Sequence, residues 1–271
     1  MSSLVIDQNQ GSKVLEKRGS GHKNMSRFQA FAIHLVISCV VVLTFLTIMK
    51  QFWYPDFFFE ASAGWGVLKI LIMVDLVLGP LITLIIFKSG KPGLKFDLSV
   101  IAALQVAALL YGGSVVFQNR PGYLVFAVDR FEVVAATLVD NAAIPDAELR
   151  RTLANPIPLI YASLPEDREA SEVILFEVVS GGADIEMRPE LYKPFQENFD
   201  RVFIKSIDIS MLISGDSEVD SRVRAFVSGQ NAMLDDFLYY PLVGKNKDML
   251  IVFPRSGGQP VGVVDVNPWL S

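Results

Sequence analysis

Asp75 stands in an apolar run, Val67–Phe87, whose only other charged residue is Lys69. A carboxylate inside such a run is costly, so it needs a partner or a purpose. Two uses fit the residue type. One is a hydrogen-bonded clasp to a polar side chain on a neighbouring apolar segment. The other is catalysis by Asp75, or by Asp97 further along. A single carboxylate without a second acid at matched depth supports aspartyl chemistry poorly. The rest of the chain narrows the options. Both histidines, His22 and His34, and the single cysteine, Cys39, lie in the first 39 residues. Residues 118–271 therefore have no Cys or His for a zinc site or a Ser/His or Cys/His nucleophile. Glu166, Asp167 and Glu169 read as a helix start, where acids suit the dipole, not as paired catalytic carboxylates. Asp235-Asp236 is too little for a cation site. No metal, cofactor or nucleic-acid partner is expected, and no enzyme activity.

Helix rise places the possible partners of Asp75. His34 is expected about 9 Å deeper in the bilayer than Asp75, Gln105 differs by roughly 5 Å and Tyr111 by about 4 Å. The expectation is that Asp75 bonds to Tyr111 or Gln105. The alternative is a protonated Asp75, or one facing a water defect. His34 and Cys39 read as packing residues. Gly79-Pro80, one turn beyond Asp75, should loosen or kink its helix. Gly112-Gly113 permits close helix approach. Asp75, Gly79, Pro80, Gln105, Tyr111, Gly112 and Gly113 form the candidate partner-binding set.

Three apolar runs position these residues: 28–49, 67–87 and 96–117. Each is long enough to cross a hydrocarbon core of about 30 Å as a helix. The first, 22 residues long, exceeds a signal-peptide core, and the nearest small-residue triplet, Ala61-Ser62-Ala63, lies beyond an aromatic stretch. An uncleaved span is expected. Residues 50–66, KQFWYPDFFFEASAGWG, read as an interfacial aromatic belt, with a docking patch for a partner helix as the second reading. Lys88, Lys91 and Lys95 mark the turn after the second run as cytoplasmic. Asp97 sits where a helix N-terminus favours an acid. Residues 1–26 read as a basic, disordered cytoplasmic tail. The multi-pass arrangement puts the N-terminus in the cytoplasm and residues 118–271 in the periplasm of a Gram-negative cell.

Charge divides the chain at the same place, with a net of +4 over residues 1–117 and −9 over 118–271. The second part is expected to be a soluble α+β domain ending in a β-meander. Strands are expected at 123–128 and 130–139, with a turn at Asp129-Arg130. Residues 140–154 look helical in their second half, and Asn155-Pro-Ile-Pro158 breaks the chain. A helix from Pro165 to Val179 should end at Gly181-Gly182. Residues 187–199 read as irregular. Residues 201–213 lean towards helix near their end. Another helix, 216–228, carries Val219, Val223, Phe226 and Val227 on one side. Three strands, 237–243, 248–253 and 259–266, make the meander.

From Met25 onward the sequence resembles the type IV pilin accessory protein family (TfpX/TfpZ). The carrying strings are MSRFQAFAIHLVIS at 25–38, WYP at 53–55, GWG at 64–66 and VDLVLGPLITLIIFK at 74–88. GKPGLKFDL at 90–98, YLVFAVDRFEVV at 123–134, RPELYKPF at 188–195 and VGVVDVNPW at 261–269 continue it. Residues 1–24 depart from the family, whose members usually start near Met25. The resemblance implies an inner-membrane accessory or chaperone for a cognate type IV major pilin. It implies no catalytic residues. A membrane enzyme modifying pilin or lipid through Asp75 is the alternative, and a sensor is weaker because residues 1–24 offer no output module.

Overall fold

The computed structural model describes residues 25–62, 64–152 and 156–269; the tail expected over residues 1–24 lies outside them. The chain builds a bundle of three apolar helices and then a mixed sheet. Among the described residues, three helices are long and apolar enough to cross a membrane: Arg27–Trp53, Trp65–Ile86 and Leu94–Gln118. The first consists of α1 (Arg27–Ile48) and a closing π-turn, Met49–Trp53. Ser26 and Gln29 cap its start reciprocally. A short helix, α2 (Phe58–Ser62), follows in the connecting loop. The second span is α3 (Trp65–Ile72), a π-turn over Met73–Leu78, and α4 (Gly79–Ile86). The third is α5 (Leu94–Gln118), entered through Gly93 at φ 82°. Glycine is favoured there because a side chain is strained at that φ. Asp97 lies in its first turn and pairs with Lys91 at 2.7 Å.

The second span packs against both others. Small residues set the closeness. A Cβ on Gly112 would lie 2.8 Å from Leu71 Cδ2, and one on Gly113 would lie 3.3 Å from Phe45 Cε2. The glycine pair is thus buried within the bundle by the chain's own helices.

Beyond α5 lies a seven-stranded sheet in the order β4-β3-β1-β2-β5-β6-β7. The strands are β1 (Pro121–Ala127), β2 (Arg130–Ala135), β3 (Leu159–Ala162), β4 (Tyr192–Pro194), β5 (Phe237–Val243), β6 (Met249–Pro254) and β7 (Gly262–Val264). The pairs β1/β3 and β2/β5 are parallel, and the other neighbours are antiparallel. The expected hairpin and the final meander are present. So is the helix before Gly181-Gly182, α6 (Arg168–Val179), capped by Asp167. The short helices α7 (Phe199–Phe203) and α8 (Ile209–Gly215) precede α9 (Ser217–Gly229), which begins at the Asp216 cap.

The period-2 alternation of strand side chains splits the interior into layers. Leu124, Phe126, Leu238, Tyr240, Ile251 and Phe253 point to one face, where Phe195 and Val202 close over them. Tyr239, Leu250 and Val252 point to the other, under Leu212, Val219, Val223 and Val227. Tyr123, Val125 and Ile160 meet Ile144 and Tyr192 on that side.

Three expectations need correction. Residues 145–152 do not form the expected helix, whose last two residues, 153 and 154, lie outside the described ones. Asp140 and Asp146 cap single 3-10 turns, Asn141–Ala143 and Ala147–Leu149, and the Arg150 guanidinium donates to the Ile144 carbonyl at 2.9 and 3.2 Å. Local side-chain bonds win over helix propagation there. Residues 187–199 are not wholly irregular, because β4 pairs there with β3, itself an unforeseen strand. Pro194 is tolerated because β4 ends the sheet. The aromatic loop is not simply a lipid belt. Phe58 and Ala61 are buried in the core of the sheet domain, with Phe57 packed beside them. Burying a phenylalanine side chain stabilises by about 2 kcal/mol. Asn246 N–H bonds the Ala61 carbonyl at 3.1 Å, so backbone also fastens this loop to the turn after β5. Phe52 and Trp65 stay exposed, as a belt would require.

Candidate functional site

The polar residues of the three spans converge at one level of the bundle, and the second span's backbone explains why. Asp75 lies in the π-turn, ten residues from Trp65 and eleven from Ile86. In an α-helix its carbonyl would accept from the Gly79 N–H. Here the Gly79 N–H bonds Val74 O instead. The next residue is Pro80, which has no N–H to offer. The Asp75 carbonyl is thereby left without a helical donor, in a region where water does not supply one. Gln105 Nε2 of the third span donates to it at 3.4 Å.

Gln105 reaches this carbonyl over Gly79. A Cβ on Gly79 would lie 2.2 Å from Gln105 Nε2. The Gly79-Pro80 pair therefore has two separate uses: proline frees the carbonyl and glycine admits the amide that satisfies it. The loosening expected at these residues takes the form of a π-turn within a continuous helix.

The same amide holds His34. Gln105 Oε1 lies 2.9 Å from His34 Nε2, and Thr83 Oγ1 lies 2.7 Å from His34 Nδ1. An amide oxygen only accepts, so Nε2 carries the proton. In the neutral ring Nδ1 then accepts from the Thr83 hydroxyl. The result is a relay from Thr83 through His34 and Gln105 to the Asp75 backbone, joining all three spans. Reading His34 as a packing residue missed this. The signal was available: helix rise places His34, deeper than Asp75, near Thr83 on the second span.

The Asp75 side chain is buried and incompletely bonded. It is 4% exposed, and its Oδ2 atom has no hydrogen-bond partner among the described residues. Gln105 is thus the partner expected from sequence, but through the backbone carbonyl of Asp75. Tyr111 is not a partner; it is 76% exposed on the outer face of α5. Helix rise matched its depth but not its direction. Of the remaining candidates, Gly79, Pro80, Gly112 and Gly113 are buried inside the bundle.

A groove of about 160 Å³ opens between the first and third spans, with Asp75 in its lining. Ile37, Val41, Val106 and Leu109 supply apolar walls, and Ser38 and Ala102 are small. Asp75 is the only carboxylate in this lining. The arrangement suits hydrogen bonding and close packing.

Two further features belong to the sheet domain. A cavity of about 360 Å³ lies between the connecting loop at Pro55–Phe58 and the sheet at Leu124 and Leu159. Glu186 is buried beneath the β1–β2 hairpin region, and burial pushes its carboxyl up to about 7. Glu132 and Asp184 add to that rise, and Arg130 opposes it. Glu186 was not singled out from sequence, since nothing in the IEM tripeptide marks a buried acid.

Comparison with known proteins finds relatives of one kind. The chain is 23% identical over 233 residues to a protein of Dichelobacter nodosus named fimbrial assembly protein, serogroup E1. That match covers 83% of this chain and 89% of the relative. The serogroup I protein of the same organism is 22% identical over the same shares of both chains. The protein of serogroups C1 and C2 is 26% identical over 106 residues, 38% of this chain and 80% of that one. No protein-family model matches the chain, and no solved structure matches it. These similarities support a role in pilus assembly, and with the three long apolar helices they support a membrane protein.

Proposed function

We propose that this protein is an accessory of type IV pilus assembly, resident in the bacterial inner membrane, that acts on a cognate major pilin before or during its entry into the fibre. The observation that carries this reading is the similarity to fimbrial assembly proteins across both the helical bundle and the sheet domain. In this reading the N-terminus is cytoplasmic and the sheet domain periplasmic, in line with the lysines at 88, 91 and 95. A pilin subunit has an apolar helix in the same bilayer and a head outside it. The bundle meets the first and the sheet domain meets the second. The loop that is fastened to both, to the bundle by the Tyr54–Val116 bond and to the sheet domain by Phe58 and the Asn246–Ala61 bond, keeps the two contact surfaces in register.

The protein acts without catalysis in this account. Support comes from the separation of its two membrane-region carboxylates. Asp97 is paired with Lys91 at the start of the third span, whereas Asp75 lies in the groove. The direct test is deletion of the gene in its own host, with surface pili counted and total pilin measured. The reading expects pilin to be synthesised while surface pili fall by at least tenfold, with recovery on complementation. Unchanged surface pili would refute it.

A further inference from the structure

The groove between the first and third spans has the form of an incomplete helix-packing site. Its walls are mainly apolar, with His34 and Gln105 also in the lining; Ser38 and Ala102 let a backbone approach closely, and Ile37 and Val106 are themselves exposed. From Ala102 to Leu109 the wall runs seven residues, about 10 Å or two helical turns. Asp75 is in its lining, and Asp75 Oδ2, enclosed within the chain, has no hydrogen-bond partner among the described residues. An unpaired polar atom in hydrocarbon costs several kcal/mol. A lipid chain would fill the apolar walls yet offer no donor. A protein helix can do both.

We propose that this groove receives the membrane-spanning helix of the pilin subunit, which presents a hydrogen-bond donor to the Asp75 carboxyl as that side chain turns towards the groove. The inference rests on the pilus-assembly reading and adds the place of contact and the chemistry the partner must bring. The incoming helix completes a four-helix cluster, with Asp75 as the polar contact and Ser38 and Ala102 as the close-approach points. Its donor, a hydroxyl, amide or amine, sits at the depth of Asp75, near the middle of the second span. Gln105 is held by His34 and by the Asp75 backbone carbonyl. Oδ2 of the carboxyl is thereby left to the partner.

The test uses the full-length chain and the host's own pilin subunit, reconstituted together in lipid nanodiscs and read by energy transfer between labels on their soluble parts. Asp75→Leu should weaken association at least tenfold, while Asp75→Asn, which keeps an acceptor oxygen, should retain most of it. Val106→Trp fills the mouth of the groove from an exposed position and should weaken association to a similar degree whatever the folding cost of the Asp75 variants. Leu110→Trp, also exposed but outside the groove, should have no effect. Wild-type association of both Asp75→Leu and Val106→Trp would overturn the inference, as would a lipid chain in the groove with pilin bound elsewhere. If deletion abolishes surface pili but these variants bind and assemble normally, only the groove assignment falls. If deletion leaves pili intact, the pilus-assembly reading itself falls.

Discussion

Gly79→Ala separates this account of the bundle from a generic one. Gly79 has ordinary helical angles, φ −58° and ψ −57°. In an unremarkable helix the change would stabilise by about 1 kcal/mol, because alanine is the better helix former. Here the new Cβ lies 2.2 Å from Gln105 Nε2 and 2.6 Å from its Cδ, so the side chain must leave. Its bonds to His34 and to the Asp75 carbonyl go with it. Interhelical hydrogen bonds in bilayers contribute about 0.6 kcal/mol each. Residual crowding adds about 1–3 kcal/mol. Set against the propensity gain, the net destabilisation is about 1–3 kcal/mol. The assay is denaturant unfolding of the full-length protein in detergent, run as a cycle with Gln105→Ala. With Gln105 truncated the clash disappears, and Gly79→Ala should then stabilise by about 1 kcal/mol. The same effect in both backgrounds, or stabilisation of the wild type, would refute the proposed packing of Gln105 over Gly79.

Other consequences concern the junction and the sheet domain. Phe58→Ala should destabilise by about 3–5 kcal/mol, since it removes a ring from the sheet core, and thermal unfolding measures it. Gly244→Ala should cost about 1–3 kcal/mol by the same assay. Its Cβ would meet two backbone oxygens, Ala61 O at 2.6 Å and Lys247 O at 2.7 Å, neither of which can rotate away. Tyr54→Phe should cost about 1 kcal/mol, because the buried Tyr54 hydroxyl donates to the Val116 carbonyl at 2.8 Å and ties the loop to the third span. Glu186 gives a pH signature. Its folded value of about 7 exceeds the ordinary 4.5, so the folded state holds a proton that the unfolded state has released. Its contribution to stability is therefore full below about 4.5 and declines as pH rises towards about 7. Glu186→Gln should flatten that part of the stability profile, and a profile unchanged by the substitution would contradict the assignment.

Long-period patterns made much of this architecture legible in the sequence. Three apolar runs announced the bundle. Short runs rich in β-formers marked the β1–β2 hairpin and the β5–β7 meander, and the Asp216 cap with Val219, Val223 and Val227 marked α9. Short elements were hidden by long-range pairing. Leu159–Ala162 is only four residues beyond a Pro-rich break, and it is a strand because β1 pairs with it. Residues 145–152 have helix-forming types, yet the Asp146 cap and the Arg150–Ile144 bonds hold Ala147–Leu149 to a single 3-10 turn. In the bundle, helix rise gave depths but not azimuths. It therefore placed Gln105 and Tyr111 equally well, and only Gln105 faces inward. The special standing of the Asp75 carbonyl follows from Pro80 five residues on, once the intervening turn is known to be π. The bonding of His34 to both neighbouring spans required the packing of all three helices.

The most direct measurement is purification of the tagged full-length chain from its own host in mild detergent, with quantification of the major pilin beside it. The account predicts pilin in stoichiometric amount, reduced at least tenfold by Val106→Trp and unaffected by Leu110→Trp. Absence of pilin from the purified wild-type protein would contradict the central claim.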